Sequence, residues 1–233
     1  MIRFERMKAE ERSICSEVAV QAFADYEYFS IYVPDNEKRL RFLRSMLKSE
    51  IILNDGPAEF YTAKEEGKIV AVAMLCRPDY RKPSDMAYMK AGFWKCFLQG
   101  GIRNVAAWNK MEAGAIAPCH SLAGITWYLN LLTVTPEKAG GGIGSQMLHQ
   151  CILPVVKNRG GETLCLFTNS QINRKFYLKN GFEEFDAQTF RYKSKTIGSW
   201  SYRISVNNFY LKSQAEYVCP RRLSGKNNSE YGV

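Results

Sequence analysis

Residues 126–185 read TWYLNLLTVTPEKAGGGIGSQMLHQCILPVVKNRGGETLCLFTNSQINRKFYLKNGFEEF, and this stretch decides the fold class. WYLNLLTV (127–134) is β-branched and aromatic and is closed off by Pro136, the pattern of a buried strand. A glycine-dense turn follows at Ala139–Gly144. Ile143, Met147, Leu148, Ile152, Val155 and Val156 then mark one apolar helix face. Pro154 lies inside that helix and cannot donate to the carbonyl of Gln150, so a kink is predicted there. LCLFT (164–168) is a second short buried strand. NSQINRKFYLKNGF predicts a helix that stops at Gly181, a residue suited to a left-handed cap. Strand, helix, strand, helix in this order predicts a parallel strand pair joined by a right-handed crossover.

Outward from this unit the chain predicts more of one α/β domain. Residues 2–7 read as a strand, and 9–24 as a helix with Ile14, Val18, Ala22 and Phe23 at helical spacing. After an aromatic connector, DYEYFSIYVPDN, Asp35 or Asn36 caps a helix over about 37–53 that buries Leu40, Leu43, Met46, Leu47 and Ile51. FYTAKEEGKIVAVAMLC reads as two strands joined by a turn ending in Gly67. Residues 77–125 are too long for a plain loop. Met86, Met89, Phe93 and Phe97 step by three and four there, and 101–113 carries a less regular helical pattern. A helical insertion is predicted between the third and fourth strands, either a lid or a packing annex. WSYRISV (200–206) is one more strand. No repeat or linker divides the chain, which is read as a single domain over 1–210 and a basic, flexible tail over 211–233.

Composition narrows the class. The 233 residues are 46% hydrophobic and 24% charged, ordinary for a globular domain. No apolar run is long enough for a membrane span, and MIRFERMKAEER is too charged for a secretion signal. Seven cysteines, an odd and unpatterned set, predict buried thiols in a reducing cytoplasm rather than a disulfide framework. Net charge is +9, of which residues 187–233 supply +6 through Arg191, Lys193, Lys195, Arg203, Lys212, Arg221, Arg222 and Lys226 against Glu216 and Glu230. Such a segment suits a nucleic acid, a polyanionic cofactor or simply a solvated face.

Gly140, Gly141, Gly142 and Gly144 lie between a strand and a helix, where successive backbone N–H groups can converge on an anion at the positive helix end. A P-loop needs a Lys after its last glycine, and none follows Gly144. A dinucleotide fingerprint needs a third glycine where Met147 stands. That leaves the dinucleotide reading weak; the pyrophosphate of coenzyme A is a third reading.

L-x-V-x-P-E-x-A-G-G-G-I-G-S (Leu132–Ser145) followed by F-T-N-S-x-x-N-x-x-F-Y-x-x-N-G-F (Phe167–Phe182) resembles the GNAT superfamily of acetyl-CoA-dependent N-acetyltransferases, with looser similarity to its puromycin-acetyltransferase-like branch. The resemblance implies the GNAT-like fold, a mixed sheet of α/β type. It also implies acetyl-CoA as cosubstrate, its pyrophosphate on Ala139, Gly140, Gly141, Gly142, Ile143, Gly144 and Ser145. Ala139 departs from the Gln or Arg usual in the family. The strand at Leu132, Thr133 and Val134 would carry the pantetheine arm on its backbone and would bulge open beside it, with the Leu132 amide polarising the acetyl oxygen. Asn173 would contact the coenzyme, or cap its helix. Tyr177 stands where the family's general acid stands, four residues after Asn173. Its phenol, with a pKa of ~10, is still protonated at neutral pH and can donate to the leaving sulfur.

The base that removes a proton from the amine is not visible on WYLNLLTV. Asp25, Glu27, His120 and a water chain are the candidates. Tyr26, Tyr28, Phe29 and Tyr32 from the connector, with Phe93, Trp94 and Trp108 from the insertion, are read as walls of an acceptor pocket, or as ordinary core. There are two histidines and no metal-ligand spacing, so no metal is expected. The expected activity is transfer of acetyl from acetyl-CoA to a small-molecule amine by direct attack in a ternary complex, by a monomer or homodimer without a membrane partner. A protein or peptide amine is the alternative acceptor; a non-catalytic nucleic-acid module is the competing class.

Overall fold

The computed structural model describes residues 1–207, so the predicted tail lies outside the described residues, as does Cys219. Among them, β1 (Ile2–Arg6), β2 (Glu59–Glu65), β3 (Lys68–Cys76), β4 (Thr126–Val134), β5 (Thr163–Thr168), β6 (Glu183–Tyr192) and β7 (Lys195–Ser205) form one sheet in the order β1-β2-β3-β4-β5-β7-β6. β4 and β5 are the parallel pair, and the remaining neighbours are antiparallel. The hairpin between β2 and β3 turns on Glu66 and Gly67, both at positive φ (50° and 79°), the geometry that matches strand twist.

Helices cover both faces, so central strands read as continuous apolar runs. Val72, Met74 and Cys76 of β3 face one core, Ala71, Ala73 and Leu75 the other. The first core is roofed by α1 (Arg12–Phe23), the single turn α2 (Glu27–Ser30), α3 (Asn36–Asn54) and the insertion. The insertion runs from β3 to β4 as α4 (Asp85–Tyr88), a π-turn (Met89–Phe93), α5 (Trp94–Gly100) and α6 (Ile102–His120), as the sequence predicts. The second core packs under α7 (Ile143–Met147), a π-turn (Leu148–Ile152), α8 (Leu153–Asn158) and α9 (Gln171–Lys179). Asp35, not Asn36, caps α3 by accepting from Lys38 N at 2.8 Å.

Four local readings change. Ile14 is 55% exposed, because α1 buries the narrower ridge of Cys15, Val18 and Ala19, whose small residues barely register in a hydrophobic period. Met86 and Met89 are exposed, since Gly92 at φ 100° breaks the helix they were to share with Phe93 and Phe97. The kink expected at Pro154 is the π-turn immediately before it, which absorbs the missing amide donor. β6 went unpredicted: it is an edge strand with a largely polar face. Arg191, Lys193, Lys195 and Arg203 therefore belong to the β6–β7 hairpin, Arg203 Nε lying 2.6 Å from Glu183.

The six described cysteines are buried and free. No helix among the described residues is long and apolar enough to cross a membrane. Nor does any group of three His, Cys, Asp or Glu side chains among them suit a metal ion.

Candidate active site

β4 and β5 start together and part. Thr126, Trp127 and Tyr128 pair with Thr163, Leu164 and Cys165, and the register ends there although both strands continue. The cause is visible on the other edge of β4. Met74 pairs with Leu131 but Leu75 with Leu129, so Asn130 is an extra residue, a β-bulge that bends the strand away. Beyond it, Thr135 donates its N–H to Val70 O on β3 at 2.9 Å. Strand alternation then turns Thr133 to β3 and points the amides of Leu132 and Val134 to the edge β5 has left.

The glycine turn lies at the far end of this slot. Gly142 is the N-cap of α7 at φ 81°, and Gln146 N is the first amide to find an intrahelical acceptor, Gly142 O at 2.9 Å. The N–H groups of Ile143, Gly144 and Ser145 thus precede the helix's own hydrogen bonds. Ala139 to Gly142 are exposed. A Cβ at Gly140 would meet nothing within 4 Å, so an anion has room to reach the main chain. Gly144 is needed for a different reason. A Cβ there would sit 3.2 Å from the Phe176 ring on α9 and 3.7 Å from Val134, which locks the turn to β4 and α9.

α9 starts at Ser170, whose hydroxyl accepts from Asn173 N at 3.5 Å, so the cap is Ser170 and not Asn173. Asn173 is half-buried beside the Tyr26 hydroxyl. Tyr26 itself shares a 3.0 Å hydrogen bond with Thr168 Oγ1 and accepts from Asn169 N at 3.1 Å, so its phenol closes the end of β5. Tyr177 follows on α9, buried against Phe176, Phe182 and Tyr202. Burial pushes its hydroxyl up from the ordinary 10, and the neighbouring Tyr26 adds to this. Asn173, Tyr26 and Tyr177, from two distant segments, converge at the strand ends.

The expected aromatic pocket divides. Tyr28, Phe29, Tyr32 and Trp108 are buried, and Phe29 packs at 6.3 Å on Phe42 and 5.9 Å on Trp108. Phe29 and Tyr32 are core, not open wall, because the single-turn α2 is wedged under α3 and α6. Tyr32 stacks on Tyr192 of β6. Phe93 is partly buried against Tyr88 and Phe97. Trp94 is 45% exposed, with the Lys95 ammonium 5.7 Å above its ring. The three candidate bases stand at the surface. Asp25 is 96% exposed near Arg39, Glu27 is exposed in α2, and His120 is exposed at the end of α6, its ring against Tyr128.

Two carboxylates that sequence reading passed over lie half-buried on the first-core side: Glu50 on α3, which accepts from Asn130 Nδ2 of the bulge at 3.2 Å, and Glu112 on α6, within electrostatic reach of Glu50. Burial pushes both up from 4.5, Glu112 to about 7. Their signal was present in the periodicity. Glu50 lies four residues after Met46, and Glu112 four after Trp108, so each occupies an apolar-stripe position.

The acetyltransferase (GNAT) domain family matches residues 56–184. Among solved structures, the fold is similar to a polyamine N-acetyltransferase from Drosophila melanogaster (TM-score 0.60, 13% identity, 88% of this chain and 100% of that one). It is also similar to an agmatine N-acetyltransferase (TM-score 0.60, 12% identity, 88% and 99%). PaiA N-acetyltransferase from Thermoplasma acidophilum, in complex with coenzyme A, gives TM-score 0.52 at 14% identity over 88% and 99%. No curated protein matches the chain. The family match spans more than half of the sequence and takes in β2, the insertion, the bulged β4, the glycine turn and α9. The chain therefore belongs to the GNAT acetyltransferase family and is an acyltransferase.

Proposed function

We propose that the protein moves the acetyl group of acetyl-CoA to the amine of a small molecule by direct attack in a ternary complex. The observation that carries this is the parting of β4 from β5 at the Asn130 bulge, in line with an open turn of unbonded amides at Gly142–Ser145. Residues 139–145 would hold the diphosphate by main-chain N–H groups at a helix start, where a negative charge is favoured. Leu132 and Val134, with Thr133 between them, would receive the pantetheine arm as an added strand is received, and the Leu132 amide is the donor aimed at the acetyl oxygen. Asn173 would contact the coenzyme beside Tyr26. Tyr177 would give the thiolate its proton: burial keeps its phenol protonated at neutral pH, and the influence of Tyr26 on it supports a place near the end of β5.

Two further features support a small acceptor. Helices of the insertion pack over the first-core face of the sheet, which supports a lid over 77–125 and argues against an extended peptide acceptor. The polyamine and agmatine acetyltransferases that share this fold are named for small amines. The test is calorimetry with acetyl-CoA: binding at tens of micromolar or tighter is expected, and no binding in that range overturns the reading.

A further inference from the structure

The insertion turns an apolar surface outward. Of the eleven large hydrophobic side chains exposed among the described residues, five fall between positions 86 and 102: Met86, Met89, Trp94, Leu98 and Ile102. Such residues scattered singly need no explanation, whereas a cluster does. On α5, Cys96 and Gly100 are buried and Phe97 packs on the first core, so Trp94, Lys95 and Leu98 share the outward side, Trp94 and Leu98 one turn apart. Gly101 at φ 85° ends that helix, and α6 opens with Ile102 and Arg103, both exposed. Leu98 is 75% exposed and Ile102 72%. A Cβ at Gly100 would lie 2.9 Å from Val105 on α6 and 3.3 Å from Phe42 on α3. The inner side of α5 is therefore clamped against both helices, and α5 cannot roll to bury Trp94 and Leu98.

Cations are interleaved with this face. Arg81, Lys82, Lys90, Lys95 and Arg103 are all exposed, and Asp85 is the one carboxylate between positions 80 and 103. None of the five pairs with a carboxylate among the described residues. Lys82 and Lys95 lie over the rings of Tyr88 and Trp94 instead, and the nearby Asp79 is taken up by Arg77 at 3.2 Å. Lys38 of α3 extends the basic rim, since it lines a shallow surface cavity with Leu98 and Asn104; Asp35, also in that lining, is engaged in capping α3.

We propose that this face of the insertion docks on an anionic lipid bilayer. Trp94, Leu98 and Ile102 enter the boundary between headgroups and acyl chains, and Lys90, Lys95 and Arg103 pair with the lipid phosphates. Aliphatic side chains beside a tryptophan, with cations around them, meet both demands of that boundary, an apolar depth and a negative surface. A second copy of the chain fits worse, because a two-fold contact sets this cationic patch against itself. A nucleic acid would match the charge but leave Met86, Met89, Leu98 and Ile102 without a role, since bases stack on aromatic faces. Docking of this kind needs no spanning helix, and none is present among the described residues. The lack of a long apolar run thus does not speak against a lipid surface, and the docking does not depend on acetyl transfer.

The experiment is flotation of the full chain with vesicles of phosphatidylcholine alone or with about 30% phosphatidylglycerol added. The anionic vesicles are expected to carry about tenfold more protein or better, with the difference shrinking as salt is raised. Two triple variants, Trp94→Ser/Leu98→Ser/Ile102→Ser and Lys90→Glu/Lys95→Glu/Arg103→Glu, should each lower that binding by about tenfold. All six positions are exposed, and urea midpoints equal to that of wild type check that the variants fold. Anionic vesicles should also shift tryptophan emission to the blue in wild type, and the conservative Trp94→Phe should remove the shift while flotation stays within about twofold. No preference for anionic vesicles, undiminished binding by either triple variant, or a blue shift that persists in Trp94→Phe would overturn the inference. So would patch variants that dissolve a dimer or release RNA while wild type ignores the vesicles.

Discussion

Replacing Glu112 by Gln should stabilise the protein at alkaline pH and do progressively less as the pH falls. In the folded chain burial carries this carboxyl from 4.5 to about 7, with Glu50 adding to the rise and Lys82 opposing it. Unfolded, it titrates near its ordinary value. Across that window the folded state binds the proton and the unfolded state does not, so stability falls as pH rises and levels off above the folded value. Gln is neutral throughout and escapes the loss. At about 1.4 kcal/mol per pH unit of displacement, the full difference is ~3 kcal/mol. Solvent reaches part of the side chain, which reduces the expected gain to about 1–2 kcal/mol. Urea denaturation followed by tryptophan fluorescence, at about pH 5 and about pH 8.5, reads the effect as a larger shift of the midpoint at the higher pH. Glu5, Glu11 and Glu65 act in the opposite direction, because Lys64 and Lys138 hold them below the usual range and their contribution is lost as pH falls. They are common to both proteins and cancel in the comparison. Equal midpoints at the higher pH, or a variant less stable there, would refute the picture of a buried carboxylate without sufficient counter-charge.

Tyr177→Phe is expected to lower kcat by about 10²-fold while acetyl-CoA affinity in calorimetry stays within about twofold; unchanged turnover would reject the proton-donor role. Arg159→Ala should cost about 3 kcal/mol in urea denaturation, because it strips the cation from Glu59, 1% exposed and otherwise bonded to the Tyr61 hydroxyl at 2.7 Å. Asp35→Ala removes the cap of α3 and should lower stability by about 1 kcal/mol without moving acetyl-CoA affinity.

The strand–turn–helix–strand–helix unit was readable because each of its parts is local. A glycine at φ 81° before a helix, an apolar run between turn residues and a glycine after a last helical turn state their conformation within a few residues. β6 was not readable. An edge strand buries little, so its polar face carries no periodicity, and only pairing with β7 makes it a strand. Phe29 and Trp108 show the same limit from the other side. Aromatic density told that they pack, but not whether they pack on each other or around an opening.

The order of elements from β4 to α9, the open glycine turn and the place of Tyr177 on the helix after β5 were determined by the chain alone, since backbone freedom and hydrophobic period are properties of neighbouring residues. That a carboxylate reaches the bulge was decided only by tertiary structure. Glu50 and Asn130 are separated by eighty residues and are brought together as α3 packs into the first core beside β4, and α6 brings Glu112 into the same core. Their electrostatic meaning arises from that shared burial, which no window of sequence contains.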